Sequence, residues 1–228
     1  MNNTISLIAG STGYLGSKIL NYLSEEDKRI YCLSRKKNSL NHKNIEELII
    51  DFETLEAIEF PKIDHVYLCL GYELRAWELI AMPDKLKKPF YKVDYEYTLD
   101  IAKKSLDAGA KSISLVSAVG ANIDSASFYL KTKGKLEKEI KKLPFEIINI
   151  FQPGHLAGRI DWQRKKNDPR LDVFAFEFAS LFLDPLMING LRKYRSIRAE
   201  KLARFIVEKT LNKTKGINFY NFNDIMIK

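Results

Sequence analysis

Short apolar runs alternate with longer amphipathic stretches along most of the chain. Runs such as "TISLIAG", "RIYCLSR", "DHVYLCLG" and "SISLVSAVG" are apolar almost throughout, which is typical of strands buried on both faces of a parallel sheet. Between them apolar residues recur at helical spacing, as at Leu15, Ile19 and Leu23, which indicates amphipathic helices. Because helices separate successive strands, the pattern predicts an α/β protein with one doubly wound parallel sheet.

The rest of the chain continues this alternation, and no linker or internal repeat divides it. Further strands are predicted in "EELIIDF", "PFEIINIFQPG" and "INFYNF", and helices at about 91–108, 129–143, 173–183 and 199–211. The pattern becomes irregular after Gly158. A chain of 228 residues can bury one substantial core. Residues 1–228 are therefore expected to form a single domain, with about 155–228 as a small C-terminal segment on the substrate side.

Composition argues against a nucleic-acid-binding protein and against a metal-binding one. The net charge is +8, but the lysines are spread along the chain and form no basic face with stacking aromatic residues, so no nucleic-acid partner is expected. The cysteines, Cys32 and Cys69, lie in apolar runs, and His42, His65 and His155 are isolated from one another. No metal site is predicted from these residues.

The location of the protein is predicted from its N-terminus and its apolar runs. The sequence "MNNTISLIAGSTG" has no basic leader followed by a long apolar segment. No run approaches the roughly 18 apolar residues that a membrane-spanning helix needs. We therefore expect a cytoplasmic protein with no membrane partner.

A glycine-rich loop joins the first predicted strand to the first predicted helix. Three glycines form the pattern G-x-x-G-x-x-G in "AGSTGYLGSK". Glycine lets the backbone turn tightly and approach a pyrophosphate, which the N–H groups of the helix N-terminus attract. This position predicts a dinucleotide-binding Rossmann fold. The predicted cofactor-binding residues of the loop are Gly10, Ser11, Thr12, Gly13, Tyr14, Leu15 and Gly16.

The end of the second predicted strand bears on which dinucleotide binds. An NAD enzyme usually has Asp or Glu there to bind the ribose 2′-hydroxyl, whereas this chain has "LSRKK" at 33–37. The planar guanidinium of Arg35 matches a 2′-phosphate, and two lysines add positive charge. We expect NADP(H) to be preferred over NAD(H). The alternative is that Arg35 is only a surface base.

Two tyrosines are each followed four residues later by a lysine, so that each pair lies on one helix face. Tyr14 and Lys18 belong to the glycine loop and the first helix, whereas Tyr129 and Lys133 lie on the helix after the fifth strand, which Ser117 ends. Ligands of doubly wound sheets bind beyond the carboxyl ends of strands. Placement, rather than spacing, therefore predicts that Tyr129 and Lys133 carry out proton transfer.

Taken together, these motifs resemble the short-chain dehydrogenase/reductase superfamily. The resemblance rests on "GSTGYLG", on Ser117 twelve residues before Tyr129, and on Lys133 four residues after it. "LCLG", "SAVGANIDSASFYLKTKGKLE" and "FQPGHLAGR" are similar to an atypical branch, the family of Tat-interacting oxidoreductase-like proteins and their bacterial homologues. The resemblance covers residues from about 4 to 208.

The resemblance implies a role for each matching residue. Ser117 would orient a substrate carbonyl and Tyr129 would deliver a proton as hydride arrives from the nicotinamide. Lys133 would bring the pKa of Tyr129 nearer to working pH and bind the nicotinamide ribose. Further cofactor contacts are implied for Asp51 and Phe52 at the adenine, Leu70 and Gly71 along the cofactor, and Pro153 and Gly154 beside the nicotinamide.

Two positions depart from the superfamily. Asp94 in "YKVDYEY" stands where many members have an asparagine that supports a proton relay, and Gln152 stands where extended sugar-nucleotide enzymes often have an arginine. The chain also has only about 70 residues for a substrate domain, which is small for that class. A sugar-nucleotide epimerase or dehydratase is therefore disfavoured.

The expected function is that of an NADPH-dependent oxidoreductase acting on a carbonyl or a related small organic group. The alternative is an NADP(H)-binding regulatory module that binds a protein partner with little turnover. The substrate would meet the segments 72–90 and 159–171, where Trp77, Trp162 and Phe90 form either a pocket wall or ordinary packing. A monomer and a homodimer both remain open.

Overall fold

The computed structural model describes residues 4–38, 42–158 and 171–226. Seven parallel strands form the central sheet, which confirms the predicted α/β class. They are β1 Ile5–Ala9, β2 Arg29–Ser34, β3 Ile45–Ile49, β4 His65–Leu68, β5 Ser112–Val116, β6 Ile147–Phe151 and, after the short strands β7 Leu156–Ala157 and β8 Ile197–Arg198, β9 Gly216–Tyr220. The order in the sheet is β3-β2-β1-β4-β5-β6-β9, and β7 pairs with β8 outside it.

Helices connect the strands and cover both faces of the sheet. They are α1 Tyr14–Glu26, α2 Asp84–Tyr91, α3 Thr98–Asp107, α4 Phe128–Ile140, α5 Leu171–Leu186, α6 Ala199–Leu211 and α7 Phe222–Met226. A π-helical segment, Lys92–Tyr97, joins α2 to α3, and short 3-10 segments occupy Phe52–Ala57, Ala76–Leu79 and Asn189–Tyr194.

The two faces of the sheet bury separate apolar clusters. Leu7 packs with Ile101 of α3 and the apolar side of α4, whereas its neighbour Ile8 packs with α1, α6 and α7, including Leu202. Successive side chains of a strand point to opposite faces. Because both faces are covered, the strands read in the sequence as uninterrupted apolar runs.

The direction of winding reverses between β1 and β4. Strand β1 pairs with β2 on one side and with β4 on the other. The connections that follow β1 and β4 therefore run in opposite directions from the carboxyl ends of these two strands. In sheets of this kind the crevice at that point is where ligands bind. The glycine loop follows β1 and therefore lies at the crevice.

The connection between β4 and β5 differs from its prediction. The sequence predicts one helix over about 91–108, whereas a helix already begins at Asp84 and is interrupted by the π-helical segment Lys92–Tyr97. A π turn contains one residue more than an α turn, so the helix face changes there. Asp94 within this segment is buried. Apolar periodicity alone does not reveal such an insertion.

The C-terminal part of the chain contributes to the main sheet as well as to the region beside the site. Strand β9 pairs with β6, and α6 packs against α1. The predicted helix at 199–211 agrees with α6, and the one at 173–183 lies within α5. The separate substrate-side segment stays a prediction. Of the candidate substrate loop 159–171, residues 159–170 lie outside the described residues.

Candidate functional site

The glycine loop after β1 is packed so closely that side chains are excluded from it. Gly10 has φ +93°, and a Cβ there would lie 2.5 Å from the carbonyl oxygen of Cys69. A Cβ on Gly16 would lie 2.1 Å from the carbonyl oxygen of Gly10. The N–H of Gly13 donates to that same carbonyl at 3.0 Å. The first glycine permits the turn, and the third lets α1 approach it.

The N-terminus of α1 suits a phosphate group. Gly13 is its N-cap and provides no side-chain hydrogen bond, and no acidic residue lies in the first turn. The first N–H groups of a helix have no partner within the helix and attract anions. Thr12 is exposed beside them, and Ser11 is buried next to the thiol of Cys32. These residues fit the pyrophosphate of a dinucleotide.

The candidate adenosine contacts lie at the carboxyl ends of β2 and β3. Arg35 follows β2 directly and is exposed. Asp51 caps a 3-10 segment by accepting the N–H of Glu53 at 2.9 Å. Phe52 is buried and stacks on Tyr97, with 5.3 Å between the ring centroids. Arg35 and Asp51 are thus open to a ligand, whereas most of Phe52 is used in packing.

The remaining candidate cofactor contacts follow β4 and β6. Gly71 has open space around its Cα, and Leu70 is partly buried. Pro153 is buried and accepts the N–H of Val119 at 2.9 Å, which joins the loops after β5 and β6. A Cβ on Gly154 would lie 2.7 Å from the backbone at residue 194. Gly154 therefore lets that segment pack on the loop after β6.

Tyr129, Lys133 and Asp94 are brought together beside this crevice. The ammonium of Lys133 lies 2.7 Å from Oδ1 of Asp94, and the two side chains are only 7% and 3% exposed. The other oxygen of Asp94 accepts the N–H of Tyr72 at 2.7 Å. Tyr129 precedes Lys133 by one turn on α4 and packs on Phe90, with 5.6 Å between the ring centroids.

The electrostatics of this trio differ from what the resemblance implies. Burial raises the pKa of Tyr129, Lys133 lowers it and Asp94 raises it. Together these effects raise the pKa of Tyr129 above its ordinary value. Burial alone would lower the pKa of Lys133, but Asp94 and Tyr129 outweigh it, so that this pKa is also raised. The expected effect of Lys133 on the tyrosine is therefore present but is opposed by burial and by the carboxylate.

Ser117 belongs to a neighbouring network. Its hydroxyl donates to Glu137 at 2.5 Å, and Gln152 donates its side-chain N–H groups to both oxygens of Glu137, at 2.9 and 3.1 Å. Glu137 is buried, and burial raises its pKa although both hydrogen bonds lower it. Glu137 follows Lys133 by four residues and therefore shares its helix face, which is the feature of the sequence that could have indicated Glu137 as a site residue.

Gly134 also went unrecognised in the sequence. A Cβ there would lie 2.5 Å from the backbone of Asn122, and the N–H of Asn122 donates to the carbonyl of Leu130 at 3.2 Å. The glycine therefore lets the loop after β5 lie directly on α4, next to Lys133.

The second tyrosine–lysine pair is engaged elsewhere. The hydroxyl of Tyr14 donates to the carbonyl of Ala157 at 2.7 Å, and Lys18 forms an ion pair with Glu200 of α6. Tyr14 thus fixes the glycine loop to β7. Leu15 is buried in the cluster on the same side.

The surroundings of Tyr129 are apolar. Buried Leu74, Met82 and Phe90 form a cluster against which the ring of Tyr129 packs. Phe90 is fully buried and thus belongs to the packing, whereas Trp77 is 50% exposed. Trp162 lies outside the described residues.

Among the described residues, no group of three or more His, Cys, Asp or Glu side chains could hold a metal ion. Within the same ranges, no helix combines the length and apolarity that crossing a bilayer requires.

The fold and the crevice define a protein of the NAD(P)-binding Rossmann class, of the short-chain dehydrogenase/reductase type. The chain belongs to the NAD dependent epimerase/dehydratase family, which matches residues 6–134. Protein FMP52 of the yeast Meyerozyma guilliermondii is 34% identical over 160 residues, covering 67% of this chain and 65% of the relative. Protein HTATIP2 of the rat is 29% identical over 163 residues, covering 68% and 64%.

The match to HTATIP2, a Tat-interacting protein, confirms the resemblance that the motifs indicated. In these two comparisons the chain spans slightly less than two thirds of the relative's length. Solved structures agree on the fold. A short chain dehydrogenase family protein from Francisella tularensis has a TM-score of 0.68 at 14% identity, covering 98% of this chain and 99% of that one. Human SDR39U1, solved with NADPH, has a TM-score of 0.65 at 18% identity, covering 95% and 74%.

The expectation of a cytoplasmic protein is wrong by these comparisons. FMP52 of Meyerozyma guilliermondii and several other fungal relatives are named as mitochondrial proteins. The absence of a recognisable leader in the sequence was too weak a basis for a location.

Proposed function

We propose that the protein is an NADPH-dependent oxidoreductase that reduces a carbonyl or a related small organic group. The observation that carries this proposal is the buried ion pair of Lys133 and Asp94, with the partly buried Tyr129 one turn before Lys133 on α4, beside the glycine loop's crevice. Perturbed titratable groups in a ligand-binding crevice are typical of proton-transfer sites. Membership of an NAD(P)-binding family supports the same reading.

The protein's own residues would supply the proton and the positioning. When bound, the cofactor supplies the hydride from C4 of its nicotinamide. The hydroxyl of Tyr129 donates its proton to the carbonyl oxygen as the carbonyl carbon gains the hydride, so that C=O becomes CH–OH. Lys133 stabilises the phenolate that remains, which then regains a proton from solvent. By resemblance, Lys133 also holds the nicotinamide ribose.

The preference for NADPH rests on Arg35. Its guanidinium is exposed directly after β2, where the adenosine ribose of a Rossmann fold lies. A bidentate guanidinium–phosphate contact is one of the stronger charge-assisted pairs. NADH lacks the 2′-phosphate and cannot form this contact.

A thermal-shift titration with NADPH, NADP+, NADH and NAD+ tests the cofactor site. A ligand at 100 times its Kd stabilises by about 2.7 kcal/mol, which is about 5–11 °C for a chain of this size. A shift with the two phosphorylated forms alone is expected. Equal shifts with both pairs would remove the role of Arg35, and no shift with any of them would reject the dinucleotide site.

A pair of tyrosine variants tests the chemistry. Tyr129→Phe is expected to bind NADPH normally and to lose turnover by a factor of at least about 100. Tyr22→Phe is the matched control, because Tyr22 lies on α1 away from the crevice. Retained turnover in Tyr129→Phe would exclude Tyr129 as the proton donor.

The apolar surroundings of Tyr129 favour a substrate with an apolar group. In a series of aldehydes of increasing chain length, each methylene buried should raise kcat/KM about fourfold, from about 0.8 kcal/mol per CH₂. The segment Ala76–Leu79, which contains the exposed Trp77, contacts α5 and would form one wall of a substrate site. A nucleotide sugar turned over faster than any aldehyde would contradict this substrate class.

A second function, that of an NADPH-regulated interaction module, is favoured by one observation. Several apolar side chains of α5 face solvent, with exposures of 57% for Phe178, 63% for Phe182 and 73% for Leu186. Exposed apolar patches often mark contact surfaces. This function predicts NADPH binding without turnover, and a protein complex whose formation depends on NADPH. Rapid reduction of a carbonyl substrate that depends on Tyr129 would contradict it.

A further inference from the structure

The buried carboxylate of Asp94 is fixed on both of its oxygens. Oδ1 lies 2.7 Å from the ammonium of Lys133, and Oδ2 accepts the backbone N–H of Tyr72 at 2.7 Å. The N–H belongs to the segment after β4, at the crevice, whereas Lys133 comes from α4. Asp94 therefore holds Lys133 in one place between two elements of the site.

The π-helical segment Lys92–Tyr97 explains how a carboxylate comes to lie there. Asp94 lies within this segment and is 2% exposed. Single π turns inside α-helices are frequent at functional sites because they shift the direction of side chains. A buried carboxylate is costly unless it is paired and hydrogen-bonded, and Asp94 meets both conditions.

The charge of Asp94 changes what Lys133 can do to Tyr129. A buried ammonium with no counter-ion would favour loss of the proton from a neighbouring tyrosine. Here the carboxylate already neutralises that ammonium. Among the described residues, Lys133 and Asp94 are the charged groups that act on Tyr129. Within the same part of the chain, Lys133 is influenced by Asp94, by Tyr129 itself and, one turn further along α4, by Glu137. The apolar ring of Phe90 packs against the ring of Tyr129.

We propose that Asp94 keeps Tyr129 protonated by neutralising Lys133, so that the site is set to donate a proton. An uncharged asparagine would leave the ammonium without this partner and would favour the phenolate. Only the link to a reaction rests on the proposed function. If that function holds, reduction of a carbonyl proceeds across neutral pH, and the reverse oxidation of an alcohol needs alkaline pH, because Tyr129 must then accept a proton.

The titration of Tyr129 can be measured without any substrate. Ionisation of a tyrosine produces a near-ultraviolet absorbance change, and the difference between the protein and its Tyr129→Phe variant isolates this residue. In the unmodified protein the difference signal is expected only above the range of a free tyrosine, whose pKa is about 10. A signal at or below that range would overturn the proposal.

The Asp94→Asn variant gives the decisive comparison. In this variant Tyr129 and the ammonium of Lys133 together carry a net positive charge, so one of them loses its proton at a lower pH. If Tyr129 loses it, an ammonium–phenolate pair forms. The signal of Tyr129 in this variant is the difference between Asp94→Asn and the double variant Asp94→Asn with Tyr129→Phe. Its midpoint is expected to lie at least about one pH unit below that of the unmodified protein. An unchanged or higher midpoint would show that Lys133 loses the proton instead, and would overturn the proposal.

A matched control and a second variant at position 94 complete the test. Asp100→Asn removes a carboxylate that is paired with Lys103 at 3.6 Å on the exposed side of α3, and should leave the signal unchanged. If Asp94→Asn does not fold, the same comparison is made with the smaller uncharged variant Asp94→Ser, because burial raises the pKa of Tyr129 even without Asp94. Absence of turnover with every carbonyl compound would reject the proposed function, while the absorbance titration would still report on Asp94.

Discussion

Replacing His65 or Asp27 should change the acid stability of the protein in opposite directions. His65 is 1% exposed, and its ring nitrogens lie 2.6 Å from the hydroxyl of Ser112 and 3.0 Å from that of Ser114. Burial lowers its pKa to about 3. Asp27 is 4% exposed and accepts the hydroxyl of Ser6. Burial, opposed in part by that hydrogen bond, raises its pKa to about 6.

The sign of each contribution follows from the proton balance between the folded and unfolded states. The folded state resists protonation of His65, so stability is lost as pH falls from 6.5 to about 3, by about 5 kcal/mol at about 1.4 kcal/mol per pH unit. The folded state takes up a proton at Asp27, so stability is gained as pH falls from about 6 to 3.8, by about 3 kcal/mol. Between about pH 4 and 6 the two contributions cancel.

Urea unfolding at several pH values between 7 and 4 measures this balance. Asp27→Asn should lose about 3 kcal/mol between pH 6.5 and 4.5, because the contribution of His65 is no longer offset. His65→Gln should become more stable over the same interval, and the double variant should show neither trend. His42→Gln is the control, since His42 is exposed. If Asp27→Asn and the unmodified protein fall in parallel, the opposing pKa values are refuted.

Three further outcomes are expected. Gly16→Ala should weaken NADPH binding, measured by calorimetry, at least about tenfold, because the added Cβ would lie 2.1 Å from a backbone carbonyl oxygen. Gly190→Ala is the control and should leave binding unchanged, because a Cβ there would have no atom within 4 Å. Arg35→Ala should weaken NADPH about 10- to 100-fold and leave NADH unchanged; equal losses would contradict a 2′-phosphate contact. Phe90→Ala should lower the free energy of unfolding by about 3–5 kcal/mol, whereas Phe178→Ala, at 57% exposure, should change it by about 0.5 kcal/mol or less.

Most of the fold could be predicted from local patterns, because apolar strands and the glycine loop carry their signals within a few residues. Right-handed crossovers between such strands then predict a doubly wound sheet. What could not be predicted depends on contacts between distant segments. The ion pair of Asp94 with Lys133 starts from a π-helical segment, whose presence the composition does not reveal. The network of Ser117, Glu137 and Gln152 joins three separate elements.

The hydrogen bond of Ser117 to Glu137 affects which candidate residue can donate to a substrate. Glu137, which accepts the hydroxyl of Ser117, follows Tyr129 by two turns on α4. A serine has a single O–H to donate, so donation to Glu137 and donation to a substrate carbonyl exclude each other. In this arrangement we expect the hydroxyl of Tyr129, rather than that of Ser117, to donate a proton to a substrate.

Ser117→Ala should therefore lower kcat/KM much less than Tyr129→Phe does. Comparable losses in the two variants would show that Ser117 leaves Glu137 and turns toward the substrate during turnover. The matching change at the carboxylate, Glu137→Gln, separates these cases, because a glutamine amide can donate to Ser117 and free its proton. Faster reduction in Glu137→Gln would mean that the hydrogen bond to Glu137 restrains Ser117, whereas an unchanged rate would mean that Ser117 serves only to hold the carboxyl end of β5 against α4.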